Sequence, residues 1–324
     1  SGRTGWIRDT DGEVFAQFNG GIVGRPQRNV QWRRGLVVGV ALEEASLGVA
    51  RAEDRPMLRP DRLQPGDTIM FVAPAGELDR QRMLLAKERL EARGYKIKFR
   101  DDLFVQDGYL AGSDQRRAEE LMQAFRDPDV KAVFPGTGGY GTMRMLDRLD
   151  YEVIRANPKV FIGFSDITAL HAAINRHAGL MTSHSPNPMW GLGGASNPEK
   201  VGSDNLTEFA EEYFFAAIEA KKNDKPRALG YTIEIAEGVP TPIRIGNGVA
   251  RGRLTGGNLS LVAALEGTPY ALDTRDAILL IEDTREAPYR VDRMLCQLKL
   301  AGKLAGLRGA VLGQFTSSFD REDN

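Results

Sequence analysis

The chain has 324 residues, 42% of them apolar and 27% charged, the balance of a folded globular protein rather than a disordered or membrane-embedded one. Its 43 basic and 44 acidic residues nearly cancel, and a formal net charge of −1 excludes a globally basic surface for nucleic acid. A single cysteine leaves no intramolecular disulfide and no cysteine-based zinc site. Three histidines without an H-E-x-x-H pair argue against a catalytic metal, so neither metal nor cofactor is expected.

Residues 1–62 read as an extension. Arg33-Arg34, the short apolar run 35–42 and Ala50-Arg51-Ala52 resemble a twin-arginine export signal, which implies a periplasmic protein. Glu43 and Glu44 interrupt that run, and a short amphipathic helix on a cytoplasmic protein is the competing reading. No run reaches the ~18 to 20 apolar residues of a membrane span.

From Pro65 onward the pattern is regular. The apolar run 68–73 predicts a strand buried on both faces, and residues 78–93 a charged helix ended by Gly94. Residues 95–99 predict the next strand. A helix over 114–126 sets Ala118, Leu121, Met122 and Phe125 on one face, and strands follow at 130–134, 160–164 and 180–183. Strands alternating with amphipathic helices predict an α/β domain over 63–220, a parallel sheet with flanking helices. The charged stretch 221–226 reads as a linker. A smaller mixed α/β domain is expected over 227–324, with strands at 231–235, 248–254, 278–281 and 309–312 and helices after Gly257 and over 289–301. Cys296 falls in a periodic run and is expected to be a buried helical cysteine.

Open parallel sheets bind ligands beyond the carboxyl ends of their strands. Three loops belong there: Pro74-Ala75-Gly76, residues 136–141, and Gly163-Phe164-Ser165-Asp166. Ser165, between an apolar strand and a predicted helix, has the placement of a serine nucleophile at a helix N-terminus. It equally has that of a helix cap, and the turn alone favours capping. Gly136, Gly138 and Gly141 satisfy G-x-G-x-x-G, but the position about 20 residues on is Ala156, not the acid of a dinucleotide site. A concavity of amides facing a developing oxyanion, or a plain turn, are the other readings of this loop. In the C-terminal part Glu282 and Asp283 end a buried run, placed to orient a histidine or simply to pair with Arg285, Arg290 and Arg293.

Taken together, several ordered segments resemble the LD-carboxypeptidase family of serine peptidases, which includes the microcin self-immunity proteins. They are residues 63–68 with Ala73-Pro74-Ala75, Gly138-Gly139-Tyr140-Gly141 with Arg144, and residues 162–168 and 255–260. Gly267-Thr268-Pro269, Ile281-Glu282-Asp283 and residues 289–295 complete the set. The resemblance spans roughly 63–316 and reverses the capping reading. It implies a Ser-Glu-His triad, with Ser165 as nucleophile, Glu282 as the carboxylate that orients the histidine, and the amides of Gly139 and Asp166 as oxyanion donors. The implied reaction cleaves the amide between an L-centre and a terminal D-amino acid, releasing D-alanine from a murein tetrapeptide. Tyr140, His184, Trp190 and Asn258 are expected to contact the small peptide substrate, with no nucleic acid involved, and a homodimer is expected.

Two departures stand out. Thr137 occupies a position where the family usually has arginine. The family's catalytic histidine lies in a Gly-His segment near the C-terminus, and this chain stops at residues 319–324 before it, so a truncated form lacking its base is expected. Of the histidines present, His171 points along its helix into the packing layer, His177 ends that helix, and His184 reads as a site-lining residue rather than a base. Residues 186–204, with Met189 and Trp190 followed by Gly191, Gly193 and Gly194, read as a mobile wall over the substrate or as a buried or dimer-facing tryptophan. A nucleobase stacked on Trp190 would favour an amidase acting on an aminoacyl nucleotide. A catalytically impaired ligand-binding homologue and a dinucleotide oxidoreductase are the remaining readings.

Overall fold

In the computed structural model, the residues described are 3–8, 14–20, 56–194, 206–219, 242–246, 248–316 and 318. The twin-arginine segment, the linker 221–226 and the strand expected at 231–235 lie outside them. Strands β1 (Arg3–Arg8) and β2 (Val14–Gly20) pair antiparallel near the N-terminus.

The main sheet has five parallel strands in the order β4-β3-β5-β6-β7: β3 (Thr68–Val72), β4 (Lys96–Lys98), β5 (Val130–Pro135), β6 (Val160–Gly163) and β7 (Ser183–His184). Alternation along β3 explains why the run has no polar side. Ile69 and Phe71 pack with α1 (Arg80–Ala92) and α5 (Glu208–Ile218), while Met70 and Val72 pack with α2 (Asp114–Arg126) and α4 (Thr168–Ala173). Asp79 caps α1 by accepting from the Arg82 amide at 2.9 Å, and Ser113 caps α2 through the Arg116 amide at 3.2 Å. A short helix, α3 (Tyr151–Ala156), precedes β6.

The smaller sheet is parallel, in the order β10-β9-β8: β8 (Arg253–Asn258), β9 (Ala277–Thr284) and β10 (Gly309–Thr316). It is accompanied by α6 (Leu259–Ala264) and α7 (Pro288–Leu300). The architecture is therefore the expected one, an α/β parallel-sheet domain followed by a smaller α/β sheet.

Three details differ. β8 begins at Arg253 and runs through Gly256-Gly257 to Asn258, rather than spanning 248–254, because those glycines, at φ +129° and +133°, continue the ladder and pair with Leu280 and Ile281. The strand expected at 180–183 shrinks to Ser183–His184, with Leu180 instead bridging Leu58. Cys296 is exposed, not buried. Val291, Leu295 and Leu298 turn inward on α7 at helical spacing, and the residue after Leu295 lies ~100° round the helix from it. No helix among the described residues is long and apolar enough to cross a membrane.

Candidate active site

β3, β5 and β6 are neighbours and parallel, so the loops that leave them open on one edge, around the point where the chain switches from β4 on one side of β3 to β5 on the other. The β6 loop delivers Ser165 into a 3-10 turn (Ser165–Ile167) that feeds α4. Ser165 has φ +61°, left-handed backbone that costs a residue with a Cβ about 1–2 kcal/mol. A capping serine would be extended and would hold an amide of the first turn. Here Phe164 and Ile167 occupy the two cap positions, and neither has a side-chain cap bond. The strained turn leaves the half-buried Ser165 hydroxyl pointing out of the sheet edge, beside the loop from β5.

That loop approaches Ser165 closely at Gly138. A Cβ built there would lie 2.9 Å from Ser165 Cβ, 3.1 Å from its Oγ and 3.2 Å from the Asp166 amide nitrogen. Only glycine leaves that space open, and a substrate atom placed in it would meet both the hydroxyl and the Asp166 N–H. Gly139 follows, exposed and at φ +108°. The Gly76 amide donates to the Gly138 carbonyl at 3.1 Å, tying the β3 loop to it. The Asp166 side chain is buried and faces the other way. It accepts from the Thr142 amide at 2.9 Å, the Thr142 hydroxyl donates to the Asp166 carbonyl at 2.7 Å, and burial pushes the carboxyl pKa up. The Asp166 amide thus lies beside the open space at Gly138 while its side chain braces the turn. A dinucleotide loop would feed a helix holding a pyrophosphate, whereas residues 136–141 lead into a 3-10 turn (Thr142–Arg148).

Glu282 reaches the same edge from the smaller sheet. It pairs in register with Asn258 on β8. Its Oε1 stands 3.8 Å from His184 Nε2, and His184 in turn pairs with Gly163 at the end of β6. Desolvation, reinforced by the neighbouring Asp283 charge, raises the Glu282 pKa to about 7, against a lowering contribution from Asn258. The two sheets meet by close backbone approach. A Cβ on Gly257 would fall 2.6 Å from Thr168 Oγ1 and 3.2 Å from His184 Nδ1, and the Asn258 amide donates to Thr168 Oγ1 at 3.0 Å. The Asn258 side chain donates to Asp283 at 3.0 Å and accepts from the Leu261 amide at 3.3 Å, so this expected substrate contact is largely committed to holding β8, β9 and α6 together.

The three histidines sit in different surroundings. His171 is buried, its Nε2 at 2.9 Å from the Gly163 carbonyl, and desolvation lowers its pKa to about 4. His177 lies against the Pro269 carbonyl, 3.1 Å away. His184 packs 6.3 Å from the His171 ring, and the dry surroundings, with that second imidazole, hold its pKa down to about 3.

The segment after His184 is pinned over the glycine loop rather than hanging free. The Met189 amide donates to the Gly136 carbonyl at 2.9 Å, Trp190 Nε1 donates to Thr137 Oγ1 at 2.9 Å, and Arg82 covers the indole at 4.5 Å. Trp190 is 38% exposed, neither buried nor free. Tyr140 leaves the glycine loop for solvent and meets Tyr109, ring centroids 5.7 Å apart, both more than half exposed. Tyr109 carried no signal in the sequence, since it sits in an irregular stretch between β4 and α2.

The N-terminal domain model of LD-carboxypeptidases matches residues 69–185, and the C-terminal domain model matches 251–324. The chain belongs to the LD-carboxypeptidase family. The probable murein peptide carboxypeptidase of Bacillus subtilis is 39% identical over 263 residues, 79% of this chain and 75% of the relative. The microcin C7 self-immunity protein MccF of Escherichia coli is 28% identical, over 78% of this chain and 76% of its own. Among solved structures, the MccF-like protein of Bacillus anthracis superposes with a TM-score of 0.68 at 29% identity, covering 81% of this chain and 82% of that one. The muramoyltetrapeptide carboxypeptidase of Oxalobacter formigenes gives 0.62 at 28% identity, covering 76% of each. Membership of this family, with relatives named as carboxypeptidases, supports a hydrolase.

Proposed function

We propose that this protein is a serine carboxypeptidase that removes a terminal D-amino acid from an L-centre, as in release of D-alanine from a murein tetrapeptide. The observation that carries the reading is the strained Ser165, presented at φ +61° beside the open space at Gly138 and the Asp166 amide. Ser165 Oγ attacks the scissile carbonyl, and the Gly139 and Asp166 amides receive the developing oxyanion. The Ser165 hydroxyl proton passes to a histidine held by Glu282, the one that the family resemblance puts in a Gly-His segment and that none of His171, His177 and His184 replaces. Its imidazolium protonates the amine as the C–N bond breaks, the D-amino acid leaves, and water hydrolyses the acyl-enzyme. Glu282 is the carboxylate that orients and charge-stabilises an imidazolium. His171 is spent on the Gly163 carbonyl, and His184 lies on the dry side of Glu282, so we assign His184 to the lining of the site and not to the base.

The MccF-like neighbours and the part-exposed Trp190 favour a second reading, cleavage of an aminoacyl-nucleotide amide. Digesting a tetrapeptide ending in D-Ala alongside an acyl-sulfamoyl adenosine separates the two. Release of D-alanine with the nucleotide intact is expected; the reverse pattern would assign the chain to the second substrate. Cleavage of neither, with tight tetrapeptide binding, would mark a binding homologue.

A further inference from the structure

α2 reads as an amphipathic helix, yet its most deeply buried residues include charged ones. Arg117 and Glu120 are both 0% exposed. Glu120 accepts from the Ala73 amide at 2.7 Å and from both terminal nitrogens of Arg116 at 2.9 Å, which fixes the end of β3. Arg117 reaches further. Its Nη1 donates to the Pro74 carbonyl at 2.5 Å and to the Gly141 carbonyl at 2.9 Å, and its Nη2 donates to Asp114. Asp114 is itself gripped by Arg144, with Arg144 Nε 2.9 Å from Asp114 Oδ1, so the 3-10 turn following the glycine loop is drawn into the same cluster.

We propose that Arg117 is a positioning residue for acyl transfer: its buried guanidinium clamps the carbonyls of Pro74 and Gly141 and thereby fixes the Gly139 amide beside Ser165. The inference rests on the reading that residues 136–141 supply an oxyanion donor. Gly138, Gly139 and Gly141 give that loop wide backbone freedom, and a freely moving amide is a poor oxyanion donor. The clamp holds the far end of the loop at Gly141, while the Gly76 amide holds the Gly138 carbonyl. A planar fork with several donors can serve two carbonyls and a carboxylate at once, which the point charge of a lysine cannot. Packing explains the closeness too, since a Cβ on Gly141 would lie 2.8 Å from Arg117 Nη1.

The test compares the full-length protein with Arg117→Lys, Arg117→Met and the part-exposed Asp114→Asn, the last removing the carboxylate that orients Arg117 without emptying the core. Amide hydrogen exchange is followed by mass spectrometry, and hydrolysis of a murein tetrapeptide gives kcat and KM. The expected result is exchange about tenfold faster in residues 74–76 and 136–141, with β5 and β6 unchanged. A loss in kcat of about 100-fold should accompany it, with KM within about twofold, and Lys should recover part of the rate that Met loses. Unchanged loop exchange, a rise spread evenly over the chain, or a loosened loop with full kcat would each overturn the proposal. If the unsubstituted protein does not hydrolyse the peptide, as absence of the base histidine would give, the exchange result alone decides whether Arg117 holds the loop.

Discussion

Gly138 faces Ser165 so closely that a β-carbon at residue 138 would stand 2.9 Å from the serine Cβ and 3.1 Å from its hydroxyl. The two residues come from different loops, after β5 and after β6, and the space they enclose also holds the Asp166 amide. Gly138→Ala should therefore fill the reacting position. We expect turnover of the tetrapeptide to fall by at least about 100-fold, together with a stability loss of about 1–3 kcal/mol because the added carbon crowds Ser165 Cβ. Activity near that of the parent would mean that the carbonyl carbon is attacked from elsewhere.

Ser165→Gly separates strain from chemistry. Glycine takes the left-handed conformation freely, so the variant should be more stable by about 1 kcal/mol in urea unfolding while losing hydrolysis. A destabilised variant would show that the serine hydroxyl supports the fold and that the backbone strain is not stored for catalysis.

His171 and Glu282 set opposing pH dependences. His171 has its folded pKa lowered to about 4 from 6.5, so the unfolded chain binds the extra proton between these values and stability is lost as pH falls through that window. Glu282 has its folded pKa raised to about 7 from 4.5, so the native state holds the extra proton and stability falls as pH rises across that range. Glu282→Gln should remove the second slope and leave stability rising from about pH 3 to pH 6.5, through His184 as well as His171. Chemical unfolding at a series of pH values reads this directly, and an unchanged slope between pH 4.5 and 7 would return Glu282 to an ordinary surface carboxylate.

Thr137→Val deletes the acceptor of Trp190 Nε1, leaving the indole N–H without its bond to the glycine loop. The cost of such a lost partner is about 1–3 kcal/mol where water cannot replace it. A red-shifted Trp190 emission and a KM raised severalfold at nearly constant kcat are expected if the segment over the loop contacts substrate. Loss of kcat alone would place the indole's role in the chemistry instead.

Much of the larger sheet could be read from the chain because a strand covered on both faces has to be apolar throughout, as Ile69, Met70, Phe71 and Val72 are. Serial loops at Pro74, Gly136 and Gly163 then had to share an edge. Less legible were features set by contact between distant segments. The expected strand stopped at residue 254, short of Gly256 and Gly257, which carry β8 on against the Leu280 backbone and, at Gly257, against Thr168 of α4. The run around Cys296 is apolar on more than one side, so periodicity alone could not choose the inward face, and packing of Val291, Leu295 and Leu298 did. Arg117 lies among charged neighbours on α2 that belong to the solvent face of an ordinary helix, and only the carbonyls of two loops reveal why it is buried.

The union of β8 with α4 has a further meaning. Ser165 and Glu282 are borne by separate sheets, and their registry depends on the seam where Gly257 meets Thr168. On the proposed mechanism, catalytic competence is therefore a gauge of docking between two halves that each keep their own hydrogen-bonded strands. A compound wedged into that seam would silence the nucleophile from behind, without competing for the peptide, and its inhibition would be noncompetitive.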